Sequence, residues 1–349
     1  MNRFLQYAIQ LAKMAEGQTG VNPAVGSVVV KDGKIVGLGA HLKQGEKHAE
    51  VQALDMAGYA AKGATIYVSL EPCTHFGSTP PCVNKIIEAG IKKVVYAMKD
   101  ITLDSPGDDI LAAAGIEVDY QHQPEAEAMY TDFFKAKQAQ IPEVTLKVSV
   151  SLDGKQATDE GQSKWITNPG VKQEVFLQRA RHDAILTGAG TVAADNPSLT
   201  VRLEGERQPV RVILARSGNL DWNQNIFHDP TSPVYVYTEN NQIKTDELQS
   251  HVQVIVLDDC SIKTVLKDLY KKGIGSVYVE AGPKVTSQFL QSQCVQTLII
   301  YYAPKVIGGS GAYQFYQTDS ILPLEQVPQF EIDHSEIIDQ NIKVVLRKK

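Results

Sequence analysis

Cysteine is scarce in this chain, with four residues in 349. That is too few for a disulfide framework and points to a reducing compartment, the cytoplasm. Long apolar runs are also missing. No stretch approaches the roughly 18 apolar residues of a membrane span. The N-terminal M-N-R-F-L-Q-Y-A-I-Q-L-A-K interrupts its apolar positions with Gln6, Gln10 and Lys13, so it reads as an amphipathic helix rather than a signal peptide. Basic excess is absent. Thirty-four Lys and Arg stand against 40 Asp and Glu, a formal charge of -6. This excludes a broad nucleic-acid or anionic-membrane surface and leaves room for a small phosphate pocket. What remains is ordinary for globular protein: 43% hydrophobic and 21% charged residues. The length exceeds what one core usually supports, so two domains are expected.

The first part of the chain alternates strand and helix signals. A-V-G-S-V-V-V (24–30) and K-I-V-G-L-G-A (34–40) flank the turn Asp32-Gly33 and predict a hairpin. A helix is expected over His48–Ala57, closed by Gly58, and another over 80–89, with Pro80 and Pro81 near its start and Gly90 past its end. Strands are expected at 64–70 and 92–98, and 110–119 reads as helix then strand. A hairpin followed by βαβ units makes an α/β sandwich. A helical stretch over 125–137 leads into Q-I-P-E, so the boundary is placed there, with domains at 1–142 and 143–349. The second part opens with the extended run 144–154. Further strands are expected at 183–187, 209–215, 233–238, 252–257, 276–280 and 296–302, and helices at 170–181, 261–272 and 284–292.

The scarce cysteines are not evenly placed. Two of them, Cys73 and Cys82, sit in L-E-P-C-T-H-F-G-S-T-P-P-C, downstream of H-A-E at 48–50. Imidazole and thiolate suit zinc, and a catalytic zinc keeps its fourth position for water. His48, Cys73 and Cys82 supply three ligands. Glu50 is placed to move protons without ligating the metal. Base deaminases carry H-x-E followed by P-C-x-x-C. Here Pro72-Cys73 matches, while the second Cys lies nine residues on, across a loop rich in Gly and Pro. Zinc lowers the pKa of water toward neutrality, and Glu50 can pass the proton to a leaving amine. A closed structural zinc site is the competing reading. His75 reads either as a substrate contact or as a loop residue. Cys260 and Cys294 sit in apolar or surface-like surroundings and read as unremarkable thiols.

These motifs resemble a family, the bifunctional riboflavin-biosynthesis deaminase/reductases. The resemblance is carried by T-G-V-N-P-A-V-G-S-V-V-V (19–30), G-E-K-H-A-E-V (45–51) and the Cys73–Cys82 segment. In the second half it is carried by S-L-D-G-K (151–155), S-K-W-I-T (163–167), T-G-A-G-T-V-A-A-D-N-P-S-L-T-V-R (187–202), V-E-A-G-P (279–283) and A-P-K-V-I-G-G (303–309). The motifs run in order over nearly the whole chain. The resemblance implies a cytidine-deaminase-like α/β/α sandwich followed by a dihydrofolate-reductase-like α/β domain, with Zn2+ and NADPH as cofactors. It implies hydrolytic deamination of 2,5-diamino-6-(5-phosphoribosylamino)pyrimidin-4(3H)-one, then reduction of the ribosyl side chain to ribityl. It implies a small-molecule phosphoribosyl-pyrimidine substrate and a homo-oligomer. Asn22 would hold substrate beside the zinc.

In the second half, Gly188–Ala193 reads G-x-G-x-x-A, a weak dinucleotide signal on its own. Asp195-Asn196-Pro197 interrupts the helix that a Rossmann unit would need, so a glycine-containing turn is expected instead. The resemblance implies NADPH contacts at Val150, Trp165, Thr191, Asp195 and Gly282, and substrate contacts at Lys147, Ser163, Arg179, Leu199, Arg202 and Glu280. A turn entering a helix at Gly282-Pro283 suits phosphate, and Arg179 and Arg202 suit a ribose phosphate. Trp165 also reads as a packing aromatic, Arg179 as a surface charge, and Lys147 as a strand residue facing solvent. Glu280 ends an apolar strand, where an unpartnered carboxylate would be costly.

Three positions depart from the family pattern. Ser78 stands where a basic residue is usual, Asp100-Ile101-Thr102-Leu103 where Asp-Pro-Asn-Pro is usual, and Ala215 where an Asp is usual. Two other readings stay open: a zinc deaminase of another base or nucleotide with a non-catalytic second half, and a structural zinc protein joined to a dehydrogenase.

Overall fold

The computed structural model describes residues 2–76, 80–103, 105–164, 166–243, 248–318 and 322–349. Two compact units form, Met1–Gln140 and Ile141–Lys349. Ser78 and Trp165 lie outside the described residues.

In the first unit, α1 (Arg3–Met14) buries Leu5, Ala8, Ile9 and Ala12 along one face, and the Asn2 side chain accepts the Phe4 N–H at 3.0 Å to cap it. The strands β1 (Gly26–Lys31) and β2 (Lys34–Ala40) form the expected hairpin. Asp32 (φ 47°) and Gly33 (φ 75°) both take the left-handed conformation that a two-residue hairpin turn requires. There follow α2 (Ala49–Ala57), β3 (Thr65–Val68), α3 (Cys82–Glu88), β4 (Lys93–Tyr96), α4 (Gly107–Ala113), β5 (Glu117–Tyr120) and α5 (Pro124–Ala139). The sheet order is β2-β1-β3-β4-β5, with β1 antiparallel to β3 and the last three strands parallel.

Glycines set how closely helices approach this sheet. A Cβ on Gly26 would fall on the Ala8 carbonyl of α1, and one on Gly39 would fall on the Ala49 carbonyl of α2. Gly39 pairs with Ser27, the neighbour of Gly26. Successive strand residues face opposite sides, so α1 and α2 cover opposite faces of the sheet. Between them lies a core that includes Leu54, Ile66, Val83, Val94, Leu111 and Phe134.

The second unit contains β6 (Glu143–Val150), α6 (Pro169–Ala180), β7 (Ala184–Gly188), α7 (Ala189–Asp195), β8 (Val210–Leu214), α8 (Asn225–His228), β9 (Val234–Thr238) and β10 (Val252–Val256). It continues with α9 (Ile262–Lys271), β11 (Ser276–Glu280), α10 (Pro283–Ser292), β12 (Thr297–Tyr302), β13 (Phe330–Ile338) and β14 (Asn341–Lys348). The sheet order is β10-β9-β8-β7-β11-β6-β12-β14-β13. Strands β10 to β12 run parallel, and β14 and β13 close one edge antiparallel.

The central strand β6 alternates strictly. Val144, Leu146, Val148 and Val150 pack in one cluster with Val265, Leu266 and Leu269 of α9 and Phe289 of α10. Thr145, Lys147 and Ser149 face the other side, where Tyr278, the register partner of Thr145, packs with Val171 and Val175 of α6. A strand covered on both faces usually reads as a continuous apolar run. This one is polar along the side beneath α6, and that side carries the second site. Among the described residues, no helix is long and apolar enough to cross a membrane.

Candidate functional site

The first site is built where α2 and α3 begin. His48 is the residue that caps α2, not its first helical residue as the sequence suggests. Its backbone is extended (φ -66°, ψ 161°) and its carbonyl accepts the Gln52 N–H. Cys82 opens α3 after the extended Pro81 (φ -54°, ψ 135°). Cys73 comes from the segment after β3. The Cys82 Sγ lies 3.2 Å from His48 Nδ1, the Cys73 Sγ lies 3.5 Å from the same atom, and the Cys82 N–H points at the Cys73 Sγ at 3.3 Å. One ligand atom from each residue falls within 4.8 Å of the others. One imidazole and two thiols at this spacing fit zinc with a coordination position to spare.

Charge is distributed unevenly around this set. The Cys82 thiol, and after it the His48 ring, hold the Cys73 thiol down to about 4, so Cys73 is the thiol that ionises first. Glu50, in the first turn of α2, is 3% exposed. Burial pushes its carboxyl up to about 7, and the Cys73 charge adds to this. A carboxyl poised near neutrality can both accept and release a proton.

Motif reading missed two further residues at this site. His41 is buried, its ring 5.1 Å from that of His48. Burial lowers its pKa, which favours the neutral ring. Its Nδ1 faces the Lys47 carbonyl at 3.3 Å, and its Nε2 faces the Asn22 amide at 3.2 Å. A ring with its proton on Nδ1 satisfies both contacts and holds Asn22 at the site. Glu71, beside Pro72-Cys73, accepts the N–H groups of Asp100 (3.2 Å) and Gly107 (2.8 Å). Its place in L-E-P-C was a usable signal; an isolated His after a strand was not. His75 is exposed.

The second site gathers on the polar side of β6. Glu280 ends β11 in register with Lys147. Arg179 of α6 grips its carboxylate through Nε (2.6 Å) and a terminal nitrogen (3.1 Å), and Lys147 Nζ stands 3.7 Å away. Neither cation faces open solvent: the side chains of Arg179 and Lys147 are 13% and 17% exposed. The surface readings of Arg179 and Lys147 are therefore wrong, because both charges are buried against one carboxylate. Burial alone would push Glu280 up, but Arg179 and Lys147 outweigh it and hold the carboxyl below its ordinary value. Two cations against one anion leave this cluster net positive.

The other predicted residues form smaller groups around it. Arg179 also donates to the Thr200 carbonyl (2.9 Å), next to buried Leu199, whose φ is 53°. Arg179 and Arg202 both approach the Phe176 ring, at 5.5 and 5.9 Å. The Gly282 N–H donates to Thr191 Oγ1 at 3.2 Å, and Ser163 Oγ donates to Asp195 at 3.3 Å. Gly282 caps α10, with Pro283 in its first turn, as expected. Helix α7 stops after seven residues at left-handed Asn196 (φ 45°), so the glycine turn leads into no Rossmann helix. The Val150 carbonyl is engaged by the Ala303 N–H at 2.8 Å. Ala215 is buried.

Two family models match the chain. The cytidine and deoxycytidylate deaminase zinc-binding region covers residues 1–98, and the RibD C-terminal domain covers 142–344. The riboflavin biosynthesis protein RibD of Bacillus amyloliquefaciens is 42% identical over 353 residues, 98% of this chain and 94% of that protein. The chain belongs to the RibD family. Two solved structures, Acinetobacter baumannii RibD and a deaminase/reductase from Thermotoga maritima, each superpose with a TM-score of 0.87 at 38% identity, covering 99% of this chain and 98% of theirs. The fold is the deaminase-like sandwich followed by the RibD reductase domain. Like other RibD proteins, the chain is a riboflavin-biosynthesis enzyme, both hydrolase and oxidoreductase, acting on small molecules with Zn2+ and NADPH.

Proposed function

We propose that residues 1–142 deaminate 2,5-diamino-6-(5-phosphoribosylamino)pyrimidin-4(3H)-one and that residues 143–349 reduce the ribosyl side chain of the product to ribityl. The observation that carries the first step is the convergence of His48, Cys73 and Cys82 beside buried Glu50. These three residues would hold the zinc, which supplies a Lewis acid that brings water toward ionisation near neutral pH. The Glu50 carboxylate takes the proton of the attacking water and returns it to the departing amine, which leaves as ammonia. Asn22, oriented by His41, holds the pyrimidine edge.

In the second step NADPH supplies the hydride, and the protein supplies orientation and charge. Val150, Thr191, Asp195, Gly282 and Trp165 are the proposed cofactor contacts. The net-positive group of Lys147, Arg179 and Glu280, with Ser163, Leu199 and Arg202, is the proposed ribosyl-phosphate contact. Glu280 fixes the Arg179 guanidinium through two parallel bonds, so the substrate meets a pre-set cation rather than a mobile one. The thiol ligands need a reducing compartment, which supports a cytoplasmic location. Resemblance to the family supports a homo-oligomer, which sedimentation of the purified chain would reveal.

A coupled assay tests the whole reading. The diaminopyrimidine phosphoribosyl substrate is supplied, and ammonia release and NADPH oxidation are followed separately. Ammonia should appear without NADPH, and NADPH oxidation should require prior deamination. NADPH oxidation on the undeaminated substrate would overturn the order of steps.

A further inference from the structure

We propose that Lys137 is the cation that meets the phosphate of the deaminase substrate. This rests on the reading above that the first unit deaminates a phosphoribosyl-pyrimidine. A cation with no carboxylate partner has its whole charge to offer a phosphate.

The wall beside the metal ligands is well defined. The Glu71 carboxylate takes the N–H of Asp100 and of Gly107, so one side chain closes both ends of the loop between β4 and α4. The Thr74 hydroxyl donates to the Ser105 carbonyl at 2.9 Å, pinning the same loop to the segment that carries Cys73. Within the loop, Thr102 gives both its N–H and its hydroxyl proton to the Asp100 carboxylate. The Thr102 oxygen is left as an acceptor, and Lys137 Nζ donates to it at 2.7 Å.

Several other lysines of this unit face carboxylates, while Lys31, on β1, donates to the Lys62 carbonyl at 2.6 Å. Lys47 pairs with Asp55 at 2.8 Å, Lys13 with Glu125, Lys43 with Glu46 at 3.7 Å, and Lys99 lies 4.0 Å from Asp108. Lys137 has the Thr102 hydroxyl and the Phe133 ring, 5.8 Å away, and forms no ion pair among the described residues. It is half-buried. A lysine in the last turn of a helix also favours the helix terminus electrostatically. A purely structural lysine of that kind would be indifferent to whether the substrate carries phosphate.

The test follows ammonia release by the full-length, zinc-loaded chain on the phosphorylated substrate and on the same compound with its phosphate removed. For Lys137→Met, KM for the phosphorylated substrate should rise about tenfold or more, with kcat nearly unchanged. The dephosphorylated substrate should be turned over as by the wild type, and Lys137→Arg should recover most of the loss. Thr102→Val, which removes the acceptor that positions Lys137, should raise the same KM by a smaller factor. Unchanged kinetics for Lys137→Met, or an equal loss on both substrates, would overturn the proposal. If the wild type released ammonia from neither compound, the deaminase reading itself would fall and the proposal with it.

Discussion

Arg179 and Glu280 are joined by two parallel hydrogen bonds, although they lie 101 residues apart in sequence and on a helix and a strand respectively. The pair is nearly dry, and Lys147 stands beside its carboxylate. Removing one member of such a pair strands the other charge. Arg179→Ala should therefore lower the stability of the second unit by about 3–5 kcal/mol, toward the lower figure because Lys147 stays. Chemical denaturation monitored through that unit would measure it.

The same pair gives a pH dependence with a defined sign. Glu280 is held below its ordinary value of 4.5 by Arg179 and Lys147, despite burial. Its contribution is fully present above that ordinary value and is lost as pH falls through the depressed one. In Arg179→Ala the depression relaxes, so the acid-induced loss should move to higher pH. Denaturation curves across the acid range, compared between wild type and variant, check this.

Glu50→Gln keeps the shape of the side chain and removes its ability to carry a proton. Ammonia release should fall by about two to four orders of magnitude, while zinc stays bound. NADPH-dependent reduction of pre-deaminated substrate should continue. Near-normal deamination by Glu50→Gln would remove the proton-shuttle assignment.

Stripping the metal should unmask one thiol before the others. In metal-free protein, Cys73 is held down to about 4, whereas burial pushes the Cys260 thiol up to about 11. Alkylation of the chelated protein near pH 6 should label Cys73 and spare Cys260, since an ordinary thiol, with a pKa of about 8.5, is still protonated there. Added zinc should block the label. Peptide mass mapping gives the answer directly.

Gly39→Ala tests how the sheet places the metal ligands. The added methyl falls on the Ala49 carbonyl, in the first turn after His48. Overpacking of this kind costs about 1–3 kcal/mol. Because the displaced turn carries His48 and Glu50, deamination should fall further than the melting temperature alone would suggest, and reduction of pre-deaminated substrate should not.

Legibility of the sequence followed local chemistry. The metal set was readable because its residue types are rare and their spacing is constrained, and the strands of the second unit because their apolar runs are bounded by turn residues. The edge hairpin β13–β14 was not anticipated. Strand β13 is exposed along F-E-I-D-H-S-E-I-I, so no buried face imposes an alternation, and its turn uses Asp339 (φ 45°) and Gln340 (φ 65°) in place of glycine. Arg179 was ambiguous for a different reason. A charged residue on a helix shows nothing locally of the strand end, a hundred residues on, that covers it.

Helix α7 holds Thr191 and Asp195 four residues apart, hence on one side of a helix only seven residues long. Such a short element has no length over which to absorb an error in phase. One residue inserted between those two positions would swing Asp195 about 100° around the axis, away from Ser163, while leaving Thr191 against Gly282. Chains of this lineage should therefore vary in length beyond Asn196 far more readily than within the seven residues before it.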